Sequence, residues 1–243
     1  MQNRAARSSD TRTARMKEAA AVALAPNALL AKFLPMGASA VTARQDGLSA
    51  GICASHKMAL ADLPRLRQHQ AAFEAAALKH GLPPALLAAI ASRESRGGAL
   101  LDSNGLINGG ESFGLMQLDS RHHSSRGGAH SPEHIHQVAS ILERLLKEVK
   151  AKHPGWPAEQ QLRGAVVAYD AGVDNVRAIK DMDRGTTAED YSNDVWARAQ
   201  ALASHFGGTV DTAEYPSVEG STTGTFRFLK EGSRMVLGVP VRM

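Results

Sequence analysis

One carboxylate, Glu94, ends a strongly apolar stretch of the sequence, in ALLAAIASRESRGG. Burial of a carboxyl group disfavours its charged form and raises its pKa, which is what a general acid needs near neutral pH. The same glutamate could instead pair with Arg93 or Arg96 on a solvated turn. The helix alone therefore leaves two interpretations open, a catalytic acid and a surface ion pair.

Three other segments bear on the choice between these interpretations, through the resemblance described below. They are ESFGLMQLD (111–119), AVVAYDAG (165–172) and GTTAEDYSNDVWARAQ (185–200). The first follows an irregular loop, the second ends an apolar run with an aromatic hydroxyl and a glycine, and the third contains Tyr191.

Neither a metal centre nor a disulfide is expected. His134 and His136 are two residues apart, and at this spacing two helical side chains point to different faces. Cys53 is the only cysteine of the sequence, so it cannot form an internal disulfide, and a zinc site of the finger type is excluded with it. A catalytic thiol would need a histidine partner, which nothing local supplies.

Apolar residues recur at helical spacing over most of residues 56–205, so helices are expected to hold these candidate residues. The segment that leads to Glu94 is apolar on nearly all sides, which predicts a buried helix. Ser131 is a candidate N-cap for a long amphipathic helix. Residues 97–131 lack periodicity, and long irregular loops often carry function. We predict a mainly α (α+β) fold in which any sheet is small and lies within residues 100–130.

The composition supports a folded core and a mildly basic surface. Of 243 residues, 43% are apolar and 21% charged, which argues against wholesale disorder. No uncharged apolar run approaches the ~18–20 residues of a membrane-spanning helix. Lys and Arg outnumber Asp and Glu by 28 to 24. This surplus favours an anionic polymer or surface as partner but is too small to indicate nucleic acid.

The two ends of the chain differ from the middle in composition. Residues 1–36 are predicted to be a leader, disordered or targeting, because arginine and serine dominate its start and acidic residues are scarce. It is a poor secretory signal, since proline, asparagine and lysine interrupt its apolar part. Residues 207–243 are predicted to be a C-terminal extension, in which TFRFL and MVLGVPV either pair as a hairpin or belong to a flexible tail.

Taken in order along the chain, the motifs resemble those of the goose-type (g-type) lysozyme family. The resemblance covers residues 37–206 and includes GAS, ASRES, FGLMQLD, HSPEHIH, HPGWPAEQQLRG, AYDAGVDNVR and MDRGTTAEDYSNDV. Lytic transglycosylases share ES, GLMQ and AY-AG, whereas WPAEQQLRG and DMDRGTTAEDYSNDV narrow the match to the goose type. The resemblance implies a helical lysozyme-like catalytic domain with a small loop/β lobe flanking the cleft.

This resemblance implies a bacteriolytic defence enzyme that hydrolyses the β-1,4 bond between N-acetylmuramic acid and N-acetylglucosamine in peptidoglycan. Glu94 occupies the family's proton-donor position. Asp119 occupies one of two positions for a carboxylate that activates water, although it could instead cap a helix or brace a loop. Inverting enzymes hold two such carboxyl groups about 6.5–9.5 Å apart. Because two carboxyl groups and a water suffice, no metal or organic cofactor is expected.

Three further residues match positions of the family's sugar cleft. Gln117 and Tyr169 are expected to hydrogen-bond substrate acetamido groups near the scissile bond, with bracing of the protein itself as the alternative. His123 aligns with a histidine that lines the cleft, and a surface loop histidine is the alternative there.

The sequence departs from the family pattern at two positions. Asn108 stands where the second water-activating aspartate is usual; an amide can position a water but cannot accept its proton, which predicts a slower reaction. Asp170 stands where asparagine is common. Its carboxylate could pair with Arg163 or Arg177, or it could raise the pKa of Glu94 as a like charge.

The expected partner is anionic peptidoglycan, with no nucleic acid and no membrane span, and the expected state is a monomer. We expect the protein outside the cell or in a lytic compartment. Two other functions stay open: a lytic transglycosylase, in which the muramyl 6-hydroxyl displaces the leaving sugar, and a non-catalytic peptidoglycan-binding protein. Asn108 in place of the second water-activating aspartate favours the lytic transglycosylase. An intact Glu94 argues against the non-catalytic protein.

Overall fold

The computed structural model describes residues 27–207, 228–231 and 234–237. Its α-helices are α1 (Ala40–Arg44), α2 (Ile52–Leu66), α3 (Gln70–His80), α4 (Pro84–Ser95), α5 (Pro132–Lys152), α6 (Ala158–Ala171) and α7 (Tyr191–Leu202). Short 3₁₀ turns lie at Leu29–Lys32, Arg67–His69, Val173–Asn175 and Thr187–Glu189. Strands β1 (Ser112–Phe113) and β2 (Leu118–Asp119) follow α4. The predicted mainly α fold is confirmed, and within residues 27–207 the small sheet lies between residues 100 and 130 as predicted.

Helix α4 is the central helix of the domain. Pro84 fits its first turn, where a backbone N–H has no intrahelical acceptor. Leu86, Leu87 and Ile90 are fully buried, because α2, α3 and α7 all pack against this helix. Arg96 ends it in the left-handed conformation, with φ at +57°. The predicted buried helix is thus confirmed, and its last turn carries Glu94.

Helix α5 is the long amphipathic helix, and it begins at the predicted N-cap. The hydroxyl of Ser131 accepts a hydrogen bond of 3.3 Å from the backbone N–H of His134, which satisfies one of the free donors of the first turn. Its buried side, which includes Ile135 and Leu142, faces α3 and α6.

The lobe between α4 and α5 is built around a two-stranded antiparallel hairpin. Ser112 pairs with Asp119, and Phe113 pairs with Leu118. The connecting turn needs residues with positive φ at both ends, Gly114 at +78° and Gln117 at +51°. The hydroxyl of Ser95 in α4 donates a hydrogen bond of 2.6 Å to the carbonyl oxygen of Leu115, which fixes this turn beside the end of α4.

Residues 27–36, at the end of the predicted leader, lie against the helical core. Leu30 is fully buried, and its carbonyl oxygen accepts hydrogen bonds from the indole N–H of Trp196 (3.0 Å) and from the side-chain amide of Gln200 (2.7 Å). We therefore propose that the folded domain begins before the predicted boundary. Residues 1–26 lie outside the described residues.

The predicted C-terminal extension is described only in part. Strands β3 (Phe228–Glu231) and β4 (Arg234–Leu237) pair antiparallel, with Phe228 opposite Leu237. The hairpin is therefore the alternative that holds here, and the remainder of 208–243 lies outside the described residues. Across the described segments, no helix is both long and apolar enough to cross a membrane.

Candidate active site

Glu94 lies half-buried in the last turn of α4, where its side chain meets the first residue of α7. The phenol of Tyr191 donates a hydrogen bond to Oε1 of Glu94. Burial raises the pKa of Glu94 to about 7, and the negative charge of Asp170 acts in the same direction, while the Tyr191 hydrogen bond and Arg93 oppose it. Glu94 therefore keeps its proton up to about neutral pH, as a general acid must.

The two arginines that could have neutralised Glu94 are engaged elsewhere. The guanidinium of Arg93 donates to Asp190 at 2.9 Å and to Asp194 at 2.7 Å. Arg96 pairs with Asp46 and Asp62 at 2.7 and 3.0 Å. The structure thus shows neither of the surface ion pairs that the sequence had left open for Glu94.

Two fully buried aspartates, Asp62 of α2 and Asp194 of α7, hold the arginines beneath the site. Arg198 is almost fully buried and pairs with Asp194 at 2.9 Å and with Asp62 at 3.7 Å. Ser92 in α4 donates a hydrogen bond of 2.7 Å to Asp62 and accepts one of 2.8 Å from Arg198. Buried charges paired in this way are costly to disturb, because removal of one partner leaves the other without compensation.

Asp170, in the last turn of α6, is fixed by the turn that precedes α7. Its two carboxylate oxygens accept hydrogen bonds of 2.8 Å from the backbone N–H and from the hydroxyl of Thr187. Arg163 instead pairs with Asp183 at 3.3 Å. Of the alternatives for Asp170, the structure favours the like charge that raises the pKa of Glu94.

The turn after β1 is joined to α6 through Tyr169. The phenol of Tyr169 donates a hydrogen bond of 2.6 Å to the carbonyl oxygen of Met116. Gln117 braces its own turn, because its side-chain N–H donates to the carbonyl oxygen of Gly114 at 2.9 Å. Burial, and then the charge of Glu94, raise the pKa of Tyr169, so this phenol stays protonated. Both side chains thus make the internal contacts that were the alternative to substrate binding, with Gln117 Oε1 left to accept further bonds.

Asp119, at the end of β2, is bound by an arginine. The guanidinium of Arg121 donates to its Oδ2 at 2.7 Å, and the backbone N–H of Arg121 donates to its Oδ1 at 2.9 Å. These hydrogen bonds hold the pKa of the Asp119 carboxyl group well below its usual range. Asp119 is therefore ionised at every pH of interest, and it is a weaker proton acceptor than a free carboxylate.

The other two candidates of the lobe, Asn108 and His123, come before β1 and after β2 in the sequence. Asn108 is exposed in the loop before β1, and its backbone takes the left-handed conformation with φ at +52°, which asparagine adopts more readily than most residues. His123 is half-buried, and its backbone N–H donates a hydrogen bond of 3.0 Å to the carbonyl oxygen of Asp119.

The candidates thus form two groups, one on the helices and one on the lobe. The helical group consists of Glu94, Tyr169, Asp170 and Tyr191. The lobe group consists of Asn108, Gln117, Asp119 and His123. Tyr191 was noted in the motif GTTAEDYSNDV but was given no role there, and Thr187 of the same motif was not singled out. Within residues 27–207, no three His, Cys, Asp or Glu side chains cluster closely enough to bind a metal ion.

A helical domain whose half-buried carboxyl group holds its proton to about pH 7, beside a small polar lobe, has the arrangement of a glycoside hydrolase that works by acid catalysis. A sequence profile described as Lysozyme g matches residues 30–205. The chain therefore belongs to the goose-type lysozyme family, a family of glycoside hydrolases, and the resemblance noted in the sequence is confirmed.

Proteins from several animals are similar to this chain over its helical domain. The Lysozyme g of Gallus gallus is 42% identical over 170 residues, 70% of this chain and 80% of that protein. The Lysozyme g of Takifugu rubripes is 43% identical over 183 residues, 70% of this chain and 93% of that protein. A Glycine, glutamate and proline-rich protein of Lottia gigantea is 47% identical over 191 residues, but the match spans only 44% of its length.

Proposed function

We propose that the protein hydrolyses the β-1,4 bond between N-acetylmuramic acid and N-acetylglucosamine in bacterial peptidoglycan, with inversion and with Glu94 as general acid. The observation that carries the proposal is the raised pKa of Glu94, about 7, at the end of α4. Membership of the lysozyme family supports the choice of substrate. The mildly basic composition suits an anionic wall polymer.

The proton transfer follows from the contacts of Glu94. Tyr191 donates to Oε1, so Oε2 carries the proton and gives it to the glycosidic oxygen as the bond to the sugar breaks. The carboxylate that forms keeps the hydrogen bond from Tyr191, which stabilises the new charge. Because the acid must be protonated, activity is expected to fall as the pH rises through about 7.

The water that attacks the other sugar face needs a base, and Asp119 is the candidate. Arg121 stabilises the negative charge of Asp119 and so makes this carboxylate a poor proton acceptor. Asn108 can orient the water through its amide but cannot take its proton. We propose that Asp119 serves as a weak base helped by Asn108, and that water activation limits the rate.

We expect Asn108→Asp to raise turnover about tenfold, since it adds an unpaired carboxylate where the family has one. Asn104→Asp adds the same charge to an exposed position of the same loop and is the matched control. Reducing-end release from purified peptidoglycan at pH 6 measures both. If Asn108→Asp gives no gain while Asp119→Asn abolishes turnover, Asp119 alone already serves as an effective base.

We expect Asp170→Asn to shift the high-pH limb of the pH–activity profile to lower pH by roughly half a unit. The variant removes a negative charge that raises the pKa of Glu94. The amide oxygen still accepts one hydrogen bond from Thr187. Asp174→Asn, which removes an exposed charge four residues along the chain, is the control and leaves the limb in place. A limb that moves equally in both variants, or in neither, contradicts the assigned influence of Asp170.

A lytic transglycosylase is the second candidate, since one glutamate suffices for it and Asp119 is bound by Arg121. Mass spectrometry of digested peptidoglycan distinguishes the two reactions. Hydrolysis leaves reducing N-acetylmuramic acid ends, whereas transglycosylation leaves 1,6-anhydro ends. We expect reducing ends. Binding of peptidoglycan without release of any fragment would instead support a non-catalytic wall-binding protein.

We further propose that the enzyme acts as a monomer in antibacterial defence, outside the cell or in a lytic compartment. The support is its membership of the goose-type lysozyme family. Lysis of whole bacteria by the purified protein, together with its mass in light scattering, tests this proposal.

A further inference from the structure

The imidazole of His134 is a buried group that the proposed mechanism does not use. It lies in the first turn of α5, has no exposed surface, and meets the ring of Phe113 edge-on at 5.8 Å between ring centres. Its Nε2 accepts a hydrogen bond of 3.2 Å from the backbone N–H of Met116. An N–H donor facing Nε2 requires the lone pair there, so the ring is neutral with its hydrogen on Nδ1. Burial, and then His130, lower the pKa of His134 to about 4.

The backbone of Met116 is thus held at both its N–H and its carbonyl group. His134 binds its N–H, and the phenol of Tyr169 binds its carbonyl oxygen at 2.6 Å. These contacts join the start of α5 to the end of α6 across the turn between β1 and β2. Tyr169 in turn lies close enough to Glu94 for the glutamate charge to raise its pKa.

The turn and the imidazole also fit each other closely. A Cβ atom on Gly114 would lie 2.7 Å from Cε1 and 2.8 Å from Nε2 of His134, so only glycine leaves room for this ring. Gln117, the last residue of the turn, has φ at +51°, and its backbone N–H donates a hydrogen bond of 3.0 Å to the carbonyl oxygen of Gly114. A shift of the ring is therefore transmitted to the turn.

We propose that His134 is a positioning residue, which as a neutral acceptor fixes the backbone of Met116 and thereby places Tyr169 and Gln117 relative to Glu94. Its kinetic consequence rests on the proposed function. A proton on Nε2 turns the acceptor into a donor that faces another donor, so the bond to Met116 is lost and the turn moves.

The charged and titratable groups around His134 do not supply a counter-ion for a protonated ring. His130 lowers its pKa and stacks on His69 at 5.6 Å between ring centres. Glu133, the preceding residue, is exposed, and its carboxylate accepts a hydrogen bond from Ser131. Arg121 holds the pKa of the Asp119 carboxyl group well below its usual range, so this group stays ionised when His134 takes up a proton.

The test compares His134→Gln and His134→Leu with the wild type. The amide oxygen of glutamine reaches about as far as Nε2 and does not titrate, whereas leucine cannot accept a hydrogen bond. At pH 6.5 we expect His134→Gln to keep kcat within about threefold, and His134→Leu to lose about tenfold in kcat with a smaller change in KM. At pH 4.5 we expect His134→Gln to keep a larger fraction of its activity than the wild type.

His136→Gln is the matched control, because it makes the same exchange two residues along α5 on another face of the helix. It is expected to follow the wild-type pH profile. An acid limb that is identical in His134→Gln and the wild type, or a fully active His134→Leu, would overturn the proposal.

A pH-dependent melting temperature tests the same contact without any substrate. Because the pKa of His134 is lower in the folded protein, its contribution to stability is present above the unfolded value of about 6.5 and is lost as the pH falls through about 4. We expect the wild type to lose more melting temperature between pH 7 and 4.5 than His134→Gln. If the wild type cleaves no peptidoglycan, the proposed function fails, while this comparison still decides whether His134 holds the turn. Equal losses would reject that role.

Discussion

Glu94→Gln is expected to lower the rate of peptidoglycan hydrolysis by about 10³-fold, the largest effect on activity that we predict. The amide cannot donate a proton to the glycosidic oxygen, and the reaction then depends on protonation by water. The structure predicts little change in the fold, because glutamine Oε1 can still accept the hydrogen bond from Tyr191. Reducing-end release from purified peptidoglycan at pH 6 is the measurement, and circular dichroism checks folding.

Glu148→Gln is the control for this variant. Glu148 lies in α5 in a solvent-exposed pair with Arg144, so its exchange removes a carboxylate outside the proposed site. Its activity is expected to match that of the wild type. If Glu94→Gln keeps more than a tenth of wild-type turnover, general acid catalysis by this glutamate is wrong.

Asp194→Asn is expected to have the largest effect on stability, a loss of about 3 kcal/mol in the free energy of unfolding. Asp194 is fully buried and accepts hydrogen bonds from Arg93 at 2.7 Å, from Arg198 at 2.9 Å and from Ser55 at 2.6 Å. A neutral amide at this position leaves the positive charges of Arg93 and Arg198 incompletely compensated. Urea unfolding followed by circular dichroism measures the loss, which corresponds to a fall of roughly 6–12 °C in melting temperature.

The matched control for this loss is Asp181→Asn, which removes a charge from an exposed position and is expected to change stability by less than about 0.5 kcal/mol. A loss below about 1 kcal/mol for Asp194→Asn would show that Asp190 and Asp62 compensate the arginines by themselves.

The features that the sequence could predict are those with a local signature. The apolar run before Glu94 identified α4 as buried, and Ser131 identified the start of α5, because periodicity and capping act over a few residues. The loop between them lacks periodicity, which correctly limited the sheet to a short hairpin.

The features that the sequence could not predict are contacts between distant residues. The pairing of Arg93 with Asp194 spans 101 residues, and no periodic pattern records such a partner. Without it, an ion pair between Glu94 and Arg93 or Arg96 stayed open as an interpretation of the sequence. The placement of Leu30 under Trp196 was missed for the same reason, since an apolar segment beside basic residues also fits a targeting leader.

At the site too, the residue types could be predicted, whereas the contacts of their side chains could not. The resemblance supplied the residue types, including the departures at Asn108 and Asp170. It could not indicate that Arg121 would bind Asp119, or that Thr187 would bind Asp170, because these contacts depend on loop conformations. The chemistry of each carboxylate is determined by these neighbours.

The ion pairs of Arg198 with Asp62 and of Asp194 with Arg93 connect α7 to α2 and to α4 in place of covalent cross-links. Thiol reagents do not break ion pairs, whereas acid does so by protonating the aspartates. Burial raises the pKa of Asp194, but the charges of Arg198 and Arg93 outweigh this and lower it. The contribution of Asp194 to stability is therefore present above the usual aspartate range and is lost as the pH falls below it. This domain is expected to keep its shape in concentrated dithiothreitol and to unfold in strong acid, the opposite of a scaffold built on cystines.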